Sequence, residues 1–307
     1  MTSDDRKAYL YAALAIAAWS TVASAFKLSL RHLSPQELLL YAAWTSTLVL
    51  GGVVAARGSW RTLTDWRARD YALSLGLGLL NPYLYYLVLF GAYDRLPAQE
   101  AQPLNYAWPV VLVLLSALFL KQRVTVQTLL AMCISLTGVA IISTRGELTV
   151  LRFTDSIGVA LALASTVIWA GYWLLNLRDG RDPVVRLWIN FLFGTAAVTL
   201  HHLVAGEWRF PGWPALAGAA YVGCFEMGIT FVWWLNALRF ATTTAQVSGL
   251  IFLSPFLSLL VIHWVVGERI YPSTVIGLVL IVCGILLQRH RSLPPRPDRQ
   301  AGLPTDG

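Results

Sequence analysis

Charge is what this sequence has least of. Only 13% of the 307 residues are Asp, Glu, Lys or Arg, against 57% hydrophobic, whereas a soluble domain carries about 25% charged residues. That scarcity excludes an ordinary water-soluble domain. Cysteine is scarcer still: Cys133, Cys224 and Cys283 lie in separate apolar runs without CxxC spacing, which excludes a disulfide framework and a cysteine metal site and leaves them as packing residues. His201 and His202 are adjacent and lack the spaced acidic partners of a metal centre, so no metal or cofactor is implied. A Walker-type phosphate loop is absent, which excludes ATP-driven pumping of that kind. Paired acids, clustered histidines and a serine with its base are missing too, leaving an integral-membrane enzyme only as a weak alternative. The formal net charge is +7, yet the basic residues sit between apolar runs rather than along one face, and this speaks against nucleic acid as a partner. The one extended polar stretch, residues 291–307, is rich in Pro and Arg and too short for a core, so it is expected to be a disordered tail.

Long apolar runs are what the chain has in abundance. They fall at about 8–29, 35–56, 70–93, 97–120, 124–144, 154–177, 184–205, 213–238, 243–266 and 271–289. Each approaches the ~20 residues needed to cross a bilayer as a helix. The fold class expected is therefore all-α and integral to the membrane, with ten transmembrane helices and the lipid bilayer as its solvent. The first run is longer than a signal-peptide core and has no clear cleavage site, so it is expected to remain as helix one. With the N-terminus in the cytoplasm, 16 of the 23 Lys and Arg residues fall on the inner side and seven on the outer, an imbalance that favours both termini inside.

The two halves resemble each other. Pro109, Arg123 and Gly138 recur as Pro255, Arg269 and Gly284, each 146 residues later, and Trp19 has a looser counterpart in Trp169. Five helices per half is an odd number, so the second copy enters the membrane from the opposite side and the repeat is inverted. The expected division is residues 1–144 for helices one to five, 145–290 for helices six to ten, and 291–307 for the cytoplasmic tail.

The stretch from Thr242 to Leu287 carries a more specific likeness. Its Ala- and Ser-containing entry, Pro255, the run Gly267-Glu268-Arg269, and the glycines Gly277 and Gly284 follow in the order seen in closing helices of the drug/metabolite transporter superfamily, EamA type, which this chain resembles. The first half departs from the pattern, with Lys121-Gln122-Arg123 where Gly-Glu-Arg would stand. In length and aromatic richness the chain is similar to bacterial YddG-type aromatic amino-acid exporters. That resemblance implies a secondary exporter in a bacterial inner membrane, with amino acids or related small metabolites as cargo. Export of another metabolite or drug within the same superfamily is the alternative.

Candidate site residues come from helical projection at 100° per residue. Helix six aligns Ser165, Trp169, Tyr172, Trp173 and Asn176; helix three aligns Ser74, Gly78, Asn81 and Tyr85; helix four aligns Gln99, Gln102, Asn105 and Tyr106, with Trp108 off that sector. Such stripes gain little from facing lipid, and the bland reading is that their rings pack the bundle or join an interfacial belt. Pro82, Pro109 and Pro255 are expected to kink their helices, because proline removes a backbone donor. Helix eight places Glu226, Thr230 and Trp233 on one face, and helix nine adds Gln246 ahead of the small residues Ser248 and Gly249. Glu226 is the one acid expected deep in the bilayer, so it should face the protein interior. A hydrogen bond to Thr230 or a neighbouring helix, contact with a substrate ammonium, and proton coupling all remain open for it. Lys27, near the outer end of helix one, is expected to reach to water, with a salt bridge to Glu100 as the alternative.

Overall fold

The computed structural model describes residues 3–120, 125–147, 155–176, 179–205, 211–241 and 250–289. Within them the chain runs through α1 (Ser3–Ser29), α2 (Pro35–Ala56), a 3-10 turn (Ser59–Asp65) and α3 (Ala68–Gly78). A π-helical turn (Leu79–Leu84) leads into α4 (Tyr85–Arg95), followed by α5 (Ala98–Asn105), α6 (Trp108–Leu120) and α7 (Val126–Ser143). The second half has α8 (Ser156–Asn176), α9 (Pro183–Ala205), α10 (Trp213–Tyr221), a π turn (Val222–Glu226) and α11 (Ile229–Phe240). It ends with α12 (Leu253–Val261), a further π turn (Ile262–Val266) and α13 (Pro272–Arg289). Eight helical segments among the described residues are long and apolar enough to cross a membrane, with α3–α4, α5–α6 and α10–α11 each counted once. Two shorter apolar helices follow, Leu253–Val266 and Pro272–Leu287. The ninth expected span, 243–266, begins in residues outside those described, as do Gln246, Ser248, Gly249, Lys121, Gln122, Arg123 and the tail 291–307.

Local chemistry sets the helix ends. Ser34 caps α2 by accepting from the Glu37 amide while Glu37 accepts from the Ser34 amide, and Pro35 occupies the first helical position, where no donor is required. Thr125 accepts from the Thr128 amide at the start of α7. Large side chains such as Leu118, Phe119, Val204 and Trp264 point outward, an arrangement that suits hydrocarbon and would be an aggregation hazard in water. Cys133 and Cys283 also lie on exposed faces, which corrects their expected role in packing.

Helix α1 packs on α11 and α12, α2 on α9, α4 on α8, and α7 on α13 in the most extensive pairing of the bundle. Gly138, Gly277 and Gly284 make the α7–α13 contact close: a Cβ on Gly138 would lie 2.5 Å from the Gly277 carbonyl oxygen, and one on Gly277 would lie 2.6 Å from that of Gly138. Small residues let two backbones meet this way in a membrane. The Ser135 hydroxyl donates to the Ile281 carbonyl across the same seam at 3.3 Å.

The proline expectations divide. Pro82 sits inside an interrupted helix: Asn81 has φ −146°, ψ 116°, the Asn81–Pro82 bond is cis, and both residues are buried. Pro109 and Pro255, by contrast, stand in the first turns of α6 and α12, where the missing amide hydrogen leaves no gap. They mark helix restarts after breaks rather than bends within continuous helices.

At the end of the bundle where the α2–α3 and α8–α9 connections meet, Arg181 bonds Asp179 at 2.6 Å, the Asp70 carbonyl and the Ser74 hydroxyl, and its guanidinium lies 4.4 Å from the Trp66 ring centre. Burial works against ionisation of Asp179, but hydrogen bonds from Arg181 and the nearby Arg186 charge outweigh it and hold the carboxyl below its ordinary range.

Candidate functional site

A cavity of about 430 Å³ is lined by residues from both halves of the sequence. Trp19 and Phe26 of α1, Tyr85 and Tyr93 of α4, Trp169 and Trp173 of α8, and Phe231 and Trp234 of α11 form its aromatic walls. The α5–α6 segment contributes Gln102, Asn105, Tyr106, Trp108 and Pro109, and Glu226 enters from the π turn ahead of α11.

The rings are held by one another. Trp169 stacks on Tyr85 with centroids 4.6 Å apart and on Tyr172 at 5.7 Å, and it meets Trp173 edge-on at 5.9 Å. Trp108 lies parallel to Trp173 at 6.3 Å. Across the cavity Trp19 makes edge contacts with Phe231 at 5.9 Å and Trp234 at 5.7 Å. Such pairs contribute about 0.5–1.5 kcal/mol beyond their burial and fix ring planes against which a flat ligand could stack.

The polar groups are partly committed. Tyr106 and Ser254 share a 2.5 Å hydrogen bond between α5–α6 and α12. Asn105 donates to the Ser165 hydroxyl at 2.9 Å and accepts from Tyr85 at 3.4 Å. Glu226 accepts from the Tyr86 hydroxyl at 3.2 Å. Gln102 is 4% exposed and its side-chain oxygen has no hydrogen-bond partner.

Seven of the expected site residues thus meet around one space: Trp169, Tyr106, Trp108, Tyr85, Trp173, Glu226 and Gln102. Asn81 does not join them. Its extended backbone takes it off the helical stripe, and its buried amide lies by Tyr172 without a hydrogen bond of ordinary geometry. Gln246 falls outside the described residues. Thr230 is also displaced: it is fully buried, its hydroxyl is unpaired, and Tyr86 is the partner of Glu226 instead. Trp19, Phe26, Tyr93, Phe231 and Trp234 line the cavity without having been singled out for it, although the Trp19–Trp169 correspondence was a signal for the first.

The α5 helix, which lends Gln102 and Asn105 to the cavity, is fastened at its other end. The Glu268 carboxylate accepts from the backbone amides of Ala98 and Gln99 at 2.8 and 3.1 Å, satisfying donors that α5, preceded by Pro97, cannot pair by itself. The Gln99 side chain returns the contact, donating to the Arg269 carbonyl at 2.7 Å and accepting from the Tyr271 amide at 2.9 Å. Lys27 donates to the carbonyls of Tyr93 at 2.7 Å and Leu96 at 2.9 Å, capping the C-terminal end of α4. The salt bridge to Glu100 is not made, because Glu100 pairs instead with Arg145 at 2.8 Å, while Lys27 stays only partly buried at the mouth of a surface pocket. Gln99 stands one turn before Gln102, so the fastening lies directly beyond the cavity.

The EamA-like transporter family matches residues 6–144 and again 156–288. A probable terminal-alkyne amino-acid exporter of Streptantibioticus cattleyicolor is 26% identical over 295 residues, 95% of each chain. An uncharacterized transporter of Archaeoglobus fulgidus is 23% identical over 287 residues, covering 92% of this chain and 98% of its own. Among solved structures, one crystal structure is similar in fold with a TM-score of 0.65 and 24% identity, over 92% of this chain and 96% of that one.

Proposed function

The chain belongs to the EamA-like transporter family, and from that premise we propose that it is a secondary transporter exporting amino acids, aromatic ones above all, by alternating access. It is a multi-pass membrane protein; its family and relatives are transporters, not enzymes. The observation that carries the finer reading is the cavity, where stacked rings offer faces for an aromatic side chain and Glu226 offers a carboxyl group for an ammonium group.

Two inverted five-helix halves, with ten spans once Leu253–Val266 and Pro272–Leu287 are included, are supported by the paired family matches. They are also supported by the π turns at Leu79–Leu84 and Val222–Glu226, which interrupt the third span of each half. The close contacts agree: Gly78 meets the Asn190 carbonyl and Gly223 meets that of Ala42, as they would if the halves exchanged places. Interrupted helices at matching positions are where transporters of this construction place their cargo. Glu268 and Gln99 fasten α5 to the α12–α13 connection, so releasing that end while the opposite end closes would turn the cavity from one face to the other.

The membrane assigned is a bacterial inner membrane with both termini in the cytoplasm, which puts the Glu268 end outside. In intact cells, a cysteine replacing Ser59 is expected to react with permeant thiol reagents alone, and one replacing Glu147 with permeant and impermeant reagents alike; the reverse pattern inverts the assignment.

Transport itself is tested by counterflow into liposomes holding the pure protein, over a panel of amino acids, purines and sugars with and without a pH gradient. Saturable counterflow of Trp, Phe or Tyr is the expected result, and its absence beside flux of a purine or sugar would overturn the substrate class. A second reading, amino acids with linear apolar side chains, is favoured by the relative named for terminal-alkyne amino acids. Trp169→Ala separates the two: it is expected to weaken aromatic cargo by about 1–3 kcal/mol through lost stacking and burial and aliphatic cargo much less.

A further inference from the structure

We infer that the cavity selects its cargo by an ammonium group and an apolar body, and leaves a carboxylate without a charged partner, so that arylalkylamines, the decarboxylated counterparts of aromatic amino acids, are cargo as well. This rests on the cavity being the transport site.

The charges on the wall are one-sided. Among the described residues that line the cavity, Glu226 is acidic and none is Lys, Arg or His. Gln102 adds a buried oxygen acceptor with no donor supplied by the protein. Trp19, Trp169, Phe231 and Trp234 surround the space with ring faces that attract cations.

Of the neutral donors that could receive a carboxylate most are engaged, the buried Trp173 Nε1–H being an unpaired exception. The Tyr106 and Ser254 hydroxyls bond each other, and the Asn105 amide bonds Ser165. Helices α6 and α12 begin beside the cavity, but Pro109 has no amide hydrogen, and the amides of Val110 and Ser254 are bonded to the carbonyls of Ala107 and Ile251. The α5 N-terminus, which would be the next anion site, is filled by Glu268. A carboxylate entering this space is desolvated with neutral donors at most, whereas an ammonium meets a carboxylate and an amide oxygen.

The test is competition against counterflow of labelled phenylalanine into liposomes containing the full-length protein. Phenethylamine is expected to halve the initial rate at about one-tenth the concentration of unlabelled phenylalanine, a difference of ~1.4 kcal/mol. 3-Phenylpropanoate, which keeps the ring and carboxylate but lacks the amine, is expected not to compete. Competition by 3-phenylpropanoate equal to that of phenylalanine, or none by phenethylamine, would overturn the inference while leaving amino-acid transport in place. Calorimetric titration supplies a second readout. Gln102→Leu should weaken phenethylamine and phenylalanine by the same factor; a loss confined to phenylalanine would assign Gln102 to the carboxylate and also overturn it. Phenethylamine binding without counterflow of any amino acid would instead remove the amino-acid reading and leave the ammonium site standing.

Discussion

Gly138→Val is expected to eliminate most of the folded, monodisperse protein recovered in detergent, while Gly76→Ala on α3 is recovered like the parent. The two glycines differ in what a side chain would meet. Nothing lies within 4 Å of a Cβ on Gly76, whereas on Gly138 it would lie 2.5 Å from the Gly277 carbonyl oxygen and 3.0 Å from the Ile281 side chain. The obstructing atom is backbone, so no rotamer change relieves the clash and α7 must move away from α13. That movement separates the most closely packed helix seam in the bundle and stretches the Ser135–Ile281 hydrogen bond. Overpacking of this kind costs about 1–3 kcal/mol and sometimes more, a large share of the ~5–15 kcal/mol that holds a typical protein folded. Size-exclusion profiles and thermal unfolding in detergent measure the outcome. A Gly138→Val protein that elutes and melts like the parent would show that the seam is looser than the Gly138–Gly277 approach implies.

Helical projection was most faithful where a helix runs without interruption. The α8 stripe was legible because Ser156–Asn176 is one continuous helix, so projection at 100° per residue brought Trp169 and Trp173 to a common face. Across a π turn the same projection holds for some residues and fails for others: Tyr85 still reaches the cavity beyond Leu79–Leu84. Glu226, Thr230 and Trp233 were placed together by spacing, yet the chain turns through Met227 and Gly228 before α11 begins, and Phe231 and Trp234 share the cavity with Glu226 instead. A shift of one residue rotates a helix by about 100°, enough to exchange one ring for its neighbour. Asn81 was lost in the same way, through the extended backbone ahead of Pro82. Trp108 lay off the α5 stripe on an ideal helix and was a candidate because Pro103 and Pro109 left its direction open; the break between Asn105 and Trp108 turns it into the cavity. Glu268 was visible as part of a motif, but its contact with α5 was not, because the partner amides lie 170 and 169 residues away.

Glu226→Gln is expected to weaken the apparent affinity for amino-acid cargo by about 1.5–3 kcal/mol, or roughly ten- to a hundredfold, the difference made by a charged hydrogen-bond partner. The substitution keeps the shape of the side chain and an oxygen that still accepts from Tyr86, whose hydroxyl lies 3.2 Å from the carboxylate. The fold therefore has little reason to change, and the lost element is the ionisable carboxyl on the cavity wall. Three roles for Glu226 separate by readout. Contact with a substrate ammonium predicts weaker affinity in both counterflow and gradient-driven transport. Proton coupling predicts normal counterflow with loss of the gradient-driven component. A purely structural role predicts little change in either assay but lowered thermal stability when the hydrogen bond is removed from the other side, by Tyr86→Phe. The cavity geometry favours the first, because Glu226 faces the same space as the Trp169 wall and the Gln102 oxygen. Counterflow of phenylalanine by Glu226→Gln at parental affinity would withdraw Glu226 from the binding site and leave the aromatic walls as the sole basis of recognition.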